Sequence, residues 1–92
     1  MSALSLEEAS TLLATLPGWQ IQAGELVRTF QFEDFRAAMR FVNRVAELAE
    51  EAGHHPDIDI RYNRVRLALV THDAGGLTVK DFDLASRATQ AA

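Results

Sequence analysis

The segment from Glu50 to Asp81 reads EEAGHHPDIDIRYNRVRLALVTHDAGGLTVKD, and its pattern decides the second half of the fold. It contains all three histidines of the protein, His54, His55 and His72, and the protein has no cysteine. Histidine is the one side chain whose ordinary pKa lets it gain or lose a proton near neutral pH. The clustering therefore predicts an acid/base site within this segment.

Two runs of alternating apolar residues inside the segment predict a β-hairpin. The first run covers Asp57 to Tyr62 and the second covers Val65 to Thr71. Asn63-Arg64 is the expected loop between them, because asparagine is accepted at a first turn position. The register that follows pairs Tyr62 with Val65, Ile60 with Leu67 and Ile58 with Leu69. A slip by one residue would turn the apolar side chains to the wrong face of the sheet.

The predicted register also brings the histidines together. Extending the ladder puts His55 opposite His72, and directly opposed residues have Cβ atoms about 4.5 to 5.5 Å apart. Pro56 biases His55 toward an extended backbone, so His54 and His55 are expected to point to opposite sides and to do different jobs. Asp81 follows in the next helix, and a carboxylate near an imidazole fixes its tautomer. We therefore expect a cleft with two or three groups suited to proton transfer.

Start and stop signals outline the remaining elements. They predict a helix from Leu6 to Leu16 with a Ser5/Glu8 capping box, followed by strands at Trp19–Gln22 and Leu26–Phe32 that are joined at Ala23-Gly24. A second helix is predicted from Phe35 to Ala52, between Asp34 and Gly53. A third is predicted from Val79 to about Gln90, with Thr78 as its cap. The order α-β-β-α-β-β-α predicts one α+β domain over residues 1–92. Its simplest closed form is a four-stranded antiparallel sheet with three helices on one face.

The helix from Phe35 to Ala52 has more apolar positions than one buried face requires. They form two adjacent stripes, which are Phe35, Met39, Val42, Ala46 and Ala49 on one side and Ala38, Phe41, Val45, Leu48 and Ala52 on the other. Either a broad internal core or a contact with another subunit would explain the surplus.

Composition limits the classes of function. The net charge of −4 argues against binding to nucleic acid or to an anionic membrane. No apolar run approaches the roughly 20 residues of a membrane-spanning helix, and no signal peptide is recognised at the start of the chain. We therefore expect a cytoplasmic protein. An apolar content of 48% suffices for one core in a chain of this length.

Other interpretations of the histidines stay open at this point. Three imidazoles and a carboxylate also suit zinc or iron, although the pattern contains no His-x-His or His-x3-His pair, and we expect no metal. A serine nucleophile lacks the local context of a nucleophile elbow. The histidines could also be simple capping and surface residues.

The spacing Glu50-x3-His54-His55-Pro56-x5-Tyr62-x9-His72-x8-Asp81 resembles the signature of the pterin-4a-carbinolamine dehydratases. Further matches extend the resemblance over nearly the whole chain. They are Gly18-Trp19, Phe30-x-Phe32, Asp34-Phe35, Tyr62-Asn63-x-Val65, Thr71-His72 and Gly76-Leu77. The resemblance implies a small α+β subunit that assembles as dimers or tetramers. It also implies loss of water from 4a-hydroxytetrahydropterin to give quinonoid dihydropterin, which recycles the cofactor of aromatic amino-acid hydroxylases, without a metal or redox cofactor.

The resemblance also assigns roles to the segment. It implies that His54 and His72 donate protons to the leaving hydroxyl and that His55 serves binding and the N5 side of the pterin. Asp81 is expected to orient His72, and Glu50 is expected to support the histidine pair.

Substrate binding is expected at the end of the second hairpin strand. The backbone at Thr71, His72, Asp73 and Ala74 is expected to recognise the pterin edge, and Glu50 and Pro56 are further substrate-binding candidates. Many relatives carry an aromatic residue where this chain has Ile58, which affects the expected pocket wall.

A different function remains open beside catalysis. Some members of the family serve as dimerisation cofactors or assembly chaperones, and the helix from Phe35 to Ala52 would then bind the partner.

Overall fold

The computed structural model describes residues 2–92 of the protein. Its elements follow the predicted order. They are α1 (Leu6–Leu13), β1 (Gln20–Gln22), β2 (Glu25–Gln31), α2 (Phe35–Ala52), β3 (Asp57–Arg61), β4 (Arg64–Leu69), a short 3₁₀ helix (His72–Ala74) and α3 (Val79–Ala91). In the part of the chain described, no helix combines the length and the apolar character needed to cross a membrane.

The four strands form one antiparallel sheet in the order β1-β2-β4-β3, which confirms the predicted α+β fold. One face is apolar and is covered by the helices. Its buried side chains come from the two central strands and are Leu26, Phe30, Val65, Leu67 and Leu69. Helices α2 and α3 contact each other and the central strands. Strands β1 and β3 form the two edges of the sheet.

Helix α2 has the bounds that the sequence predicts. Asp34 accepts a hydrogen bond from the N–H of Ala37 at 2.8 Å, as an N-cap residue does. At the other end Gly53 is left-handed, with φ of 62°. The N–H of Gly53 donates to the carbonyl of Glu50, and that of His54 donates to the carbonyl of Ala49. This pair of bonds is a Schellman motif, which fixes the direction in which the chain leaves the helix.

The two apolar stripes of α2 are not equally buried. The core covers most of the second stripe and also Val42 and Ala49 of the first. Phe35, at the start of the first stripe, is 51% exposed. The broad internal core therefore accounts for much of the surplus, and an exposed apolar end remains.

The predicted hairpin is present, but its register is wrong by two residues. The observed partners are Ile58 with Leu67, Ile60 with Val65, and Arg61 with Arg64. The loop is therefore Tyr62-Asn63, and Tyr62 takes the left-handed conformation with φ of 53°. This conformation is uncommon for an aromatic residue and easier for asparagine, which is why the sequence favoured a loop that began one residue later.

Candidate active site

His54 lies at the position where the chain leaves α2. Its backbone N–H is held by the Schellman motif, and its side chain is only 12% exposed. The Nε2 atom lies 2.5 Å from Oδ1 of Asp81, in the first turn of α3. The end of one helix and the beginning of another therefore meet through this pair.

Asp81 is completely buried, and both oxygens of its carboxylate have hydrogen-bond partners within the protein. Its Oδ2 atom accepts from the hydroxyl of Thr71 at 2.8 Å and from the N–H of Thr78 at 2.9 Å. The prediction that Asp81 orients His72 is therefore wrong, because its remaining oxygen faces His54. The reason is geometric: α3 begins beside the end of α2.

The contact with Asp81 leaves one nitrogen of His54 for other chemistry. A carboxylate accepts hydrogen bonds, so Nε2 carries the proton that points to Asp81. The Nδ1 atom has no hydrogen-bond partner within residues 2–92. It is also accessible to solvent, because the same residues contain no buried side-chain nitrogen or oxygen without a partner. Any proton that His54 exchanges with a ligand is therefore exchanged at Nδ1.

His55 forms a second pair of the same type in a different environment. Its Nε2 lies 2.5 Å from Oε2 of Glu50, but the side chains are 62% and 77% exposed. Solvent screens such a pair, and its contribution to stability is small. The sequence predicted different jobs for His54 and His55, and their surroundings do differ.

His72 reaches the site from a turn and not from a strand. Strand β4 ends at Leu69, and His72 begins the 3₁₀ helix that follows. The predicted cross-strand pair of His55 and His72 is therefore wrong, because the true register and the early end of β4 remove it. The His72 side chain is exposed, and its ring makes no hydrogen bond within the residues described.

All three histidines nevertheless line one cleft of about 330 Å³. The complete lining is Gly53, His54, His55, Val70, Thr71, His72, Asp73 and Lys80. This volume lies at the lower end of the roughly 300 to 1,000 Å³ typical of small-molecule sites. Two grooves of about 580 and 570 Å³ lie elsewhere on the surface, and neither contains a histidine. The presence of the histidines therefore favours the smaller cleft as the candidate active site.

The substrate-binding candidates divide into two groups. Thr71 and Asp73 line the cleft, whereas Glu50, Pro56 and Ala74 do not. Glu50 instead reaches the site through His55.

The backbone of Thr71 is fully engaged inside the protein. Its N–H donates to the carbonyl of Gly76 at 3.1 Å, and its carbonyl accepts from the N–H groups of Ala74 and Gly76. The N–H and carbonyl groups of Thr71 and the N–H group of Ala74 are therefore not free for the predicted recognition of a ligand. In the described chain the N–H groups of His72 and Asp73 donate no hydrogen bond and remain available.

Lys80 lines the cleft but was not among the candidates from sequence. The signal that could have found it is its place beside Asp81. Both residues lie in the first turn of α3, so they come to the same end of that helix. Lys80 is exposed and supplies a positive charge at the rim of the cleft.

The grouping of side chains does not form a recognisable metal centre. Within residues 2–92, no three His, Cys, Asp or Glu side chains come together in a way that could hold a metal ion. The donors of the cleft are instead engaged in pairs, His54 with Asp81 and His55 with Glu50.

The fold and the site define a small α+β protein with an open cleft lined by groups that can exchange protons. Three imidazoles line that cleft, and a buried carboxylate backs one of them. The family model described as pterin 4 alpha carbinolamine dehydratase matches residues 2–91. The chain therefore belongs to the pterin-4-alpha-carbinolamine dehydratase family, a family of hydro-lyases.

Individual relatives agree with this membership. A provisionally named pterin-4-alpha-carbinolamine dehydratase of Acidobacterium capsulatum is 65% identical over 86 residues, which cover 94% of each chain. A crystal structure from Brucella melitensis, described as a transcriptional coactivator/pterin dehydratase, superposes with a TM-score of 0.96 at 34% identity and covers 99% of both chains. A pterin dehydratase-like protein identified as a RuBisCO assembly factor has a TM-score of 0.66 at 24% identity, with 79% of this chain and 84% of that chain covered. The last similarity shows a shared fold alone.

Proposed function

We propose that the protein dehydrates 4a-hydroxytetrahydropterin to quinonoid dihydropterin through its three histidines. The observation that carries the proposal is the shared cleft, in which His54, His55 and His72 line one space large enough for a small ligand. The family membership supports the same reaction.

The reaction requires two proton movements and no change in the number of electrons. The bond between C4a and its hydroxyl oxygen breaks, and the oxygen takes a proton from an acid and leaves as water. The proton on N5 is lost to a base, and its bonding electrons form the C4a=N5 double bond. Imidazoles can perform both steps near neutral pH, and general acid/base catalysis of this type contributes about 10² to 10⁴ in rate.

The surroundings of the histidines support separate roles. His54 and His72 are the proposed donors to the leaving hydroxyl. In His54 the donating atom would be Nδ1 of the protonated ring, because Nε2–H is engaged with Asp81, whose carboxylate would stabilise the imidazolium ion. His55 is the proposed group for binding and for the N5 side, and Glu50 supports its ring.

Recognition of the pterin is proposed to use the turn that follows β4. The free N–H groups of His72 and Asp73 are suitable donors to a carbonyl oxygen of the ring. The Asp73 carboxylate lines the cleft and is a suitable acceptor for an amino group. Ile58 packs against the core and does not line the cleft, so the expectation that it forms part of the pocket wall is wrong.

A kinetic assay tests the proposal. The 4a-carbinolamine is generated with an aromatic amino-acid hydroxylase, and its dehydration is followed by ultraviolet absorbance with and without the protein. We expect a clear acceleration, which falls by on the order of 10²-fold or more in His54→Ala and in His72→Ala. Arg44→Ala is the control, because Arg44 is an exposed residue in a different groove. Equal rates with and without the protein would refute the proposal.

A second candidate is binding of a partner through α2. The exposed ring of Phe35, at the start of the first apolar stripe of α2, is the observation that favours it. We propose another copy of the chain as the partner, which would give dimers or tetramers. Sedimentation of Phe35→Asp beside the wild type tests this: we expect a lower mass for the variant, and an unchanged mass would count against α2 as the contact.

The remaining expectations from sequence stay predictions. They are the link to an aromatic amino-acid hydroxylase and the cytoplasmic location. The assay described above requires neither of them.

A further inference from the structure

Thr78 is a buried polar residue to which the proposed mechanism has so far given no role. It is 3% exposed, it is the N-cap residue of α3, and it does not line the cleft. Its hydroxyl lies 2.8 Å from the hydroxyl of Thr71, which is also buried. Thr71 in turn donates to Asp81 at 2.8 Å, and Asp81 faces His54.

The direction of these hydrogen bonds follows from the number of available protons. Each threonine hydroxyl has one proton. The proton of Thr71 goes to the carboxylate of Asp81, so the proton between the two threonines comes from Thr78. Thr78 therefore donates to Thr71, Thr71 donates to Asp81, and Asp81 accepts from Nε2 of His54. The donors on both sides therefore converge on the carboxylate of Asp81, which links the two threonines to the imidazole.

The hydroxyl of Thr78 takes part both in this chain and in the capping box at the start of α3. As a cap it accepts from the N–H of Lys80 at 3.3 Å, which is a long bond. Its contact with Thr71 is 0.5 Å shorter, by the difference between 3.3 and 2.8 Å. Removal of the Thr78 hydroxyl takes the donor away from the buried oxygen of Thr71, which is costly. The hydrogen bond from Thr71 to Asp81 also loses the polarisation that a chain of hydrogen bonds supplies.

We propose that Thr78 is a positioning residue for the dehydration: through Thr71 and Asp81, it keeps His54 in the tautomer with Nε2 protonated and with Nδ1 open to the cleft. The effect on rate rests on the proposed function. The effect on the tautomer does not, because it follows from the hydrogen bonds alone. Partners that orient a histidine from behind typically change activity by about 10 to 100-fold in metal sites, where the same device is used.

The direct test reads the tautomer without any substrate. In protein labelled with ¹⁵N at histidine, long-range proton–nitrogen spectra distinguish the two ring nitrogens of His54. At a pH where the ring is neutral, we expect the wild type and Thr78→Ser to have the proton on Nε2. We expect Thr78→Val, which keeps the shape and loses the hydroxyl, to populate both tautomers. A His54 ring in Thr78→Val that matches the wild type would overturn the proposal.

A matched control separates positioning from loss of a helix cap. Ser5 caps α1 in a capping box of the same kind, and it does not line the cleft. Ser5→Ala should therefore lower stability while it leaves the His54 tautomer unchanged. Should Thr78→Val fail to fold, Thr78→Ala is read in the same way, since the smaller side chain also lacks the hydroxyl.

Kinetics provide the second measurement. We expect Thr78→Val to lower kcat by about tenfold with little change in KM, and Thr78→Ser to restore it. A wild-type kcat in a folded Thr78→Val would overturn the role in catalysis. If even the wild type fails to accelerate dehydration, the proposed function is refuted, and the tautomer measurement still decides whether Thr78 orients His54.

Discussion

Two helices of the protein begin with the same local motif, and they use it differently. In α1 the Ser5 hydroxyl accepts from the N–H of Glu8, and the Glu8 carboxylate accepts from the N–H of Ser5 at 2.9 Å. In α3 Thr78 and Asp81 exchange the same kinds of bond. The first box is exposed, and the hydrogen bonds of its two side chains join Ser5 and Glu8 to each other. The second is buried, and its carboxylate also contacts Thr71 and His54.

The difference shows how a structural motif can become part of a functional site. A carboxylate at the third helical position has two oxygens, and a capping box occupies one of them. In α1 the second oxygen of the carboxylate faces water, whereas in α3 it faces an imidazole. The beginning of α3 therefore stabilises the helix and orients His54 at the same time.

The largest expected difference between the two boxes is in stability. Asp81→Ala leaves the donors of Thr71, Thr78 and His54 without an acceptor in a buried place, so we expect the free energy of unfolding to fall by roughly 3 to 5 kcal/mol. Glu8→Ala should cause only a small loss, because water replaces the carboxylate. Urea denaturation of both variants measures the difference. Similar losses of stability in the two variants would show that burial does not make the second capping box more important to stability than the first.

The next comparison concerns the two pairs of histidine and carboxylate. Asp81→Asn keeps an acceptor for the helix cap but can present an amide N–H₂ to His54, so we expect the dehydration rate to fall by about 10²-fold. Glu50→Gln changes an exposed pair, and we expect a change of less than about threefold. The carbinolamine assay compares them. A larger loss in Glu50→Gln than in Asp81→Asn would reverse the proposed importance of the pairs.

A smaller effect is expected at the end of α2, which places His54. Gly53 has φ of 62° with open space around its Cα, so Gly53→Ala adds only backbone strain. We expect a loss of about 1 to 2 kcal/mol together with reduced activity, because the turn into His54 shifts. Gly24→Ala is the matched control, since Gly24 also has positive φ and open space but lies in the β1–β2 loop. It should lose comparable stability at unchanged activity, and a loss of activity in both would remove the special role of Gly53.

The smallest effect is a dependence of stability on pH in α1. The hydrogen bond from the Ser5 N–H, and then the bond with the Ser5 hydroxyl, hold the pKa of Glu8 below its ordinary value. The folded protein therefore favours the charged carboxylate, and this stabilisation is present above the ordinary pKa and is lost as the pH falls through the lowered one.

Glu8→Gln tests this pH dependence. We expect the variant to be slightly less stable than the wild type at pH 7 and the difference to disappear in acid, as measured by urea denaturation at several pH values. Glu7→Gln, in the same turn without bonds to Ser5, is the control. A difference between wild type and Glu8→Gln that grows as the pH falls would contradict the assigned cause.

The sequence predicted most of the fold because its local signals agree with one another. Caps at Asp34 and Gly53 gave the bounds of α2, and the Ala23-Gly24 loop was found from its turn residues. The hairpin register was missed for a physical reason. A shift of two residues keeps the same side chains on the buried face, so the alternating pattern cannot detect it. The observed register places the loop at Tyr62-Asn63 and requires Tyr62 to be left-handed, which the alternation of apolar residues does not indicate.

The sequence predicted that the candidate residues lie close together, but it did not predict their contacts. The pattern identified the three histidines and Asp81, and the cleft contains or adjoins all four. Which histidine meets Asp81 depends on where α2 ends relative to α3, and this is a tertiary relation that spacing along the chain does not encode. Lys80 was missed for the same reason, since it comes to the cleft only through the placement of α3.

The central claim is that three imidazoles act on one heterocycle in one cleft, and a titration with a stable dihydropterin tests it most directly. Proton and nitrogen signals of the rings of His54, His55 and His72 are followed by NMR as the ligand is added. The account predicts that all three shift with the same saturation curve, while the signals of Phe35 on α2 stay unchanged. Shifts confined to other surfaces, or separate curves for His72 and His54, would contradict it.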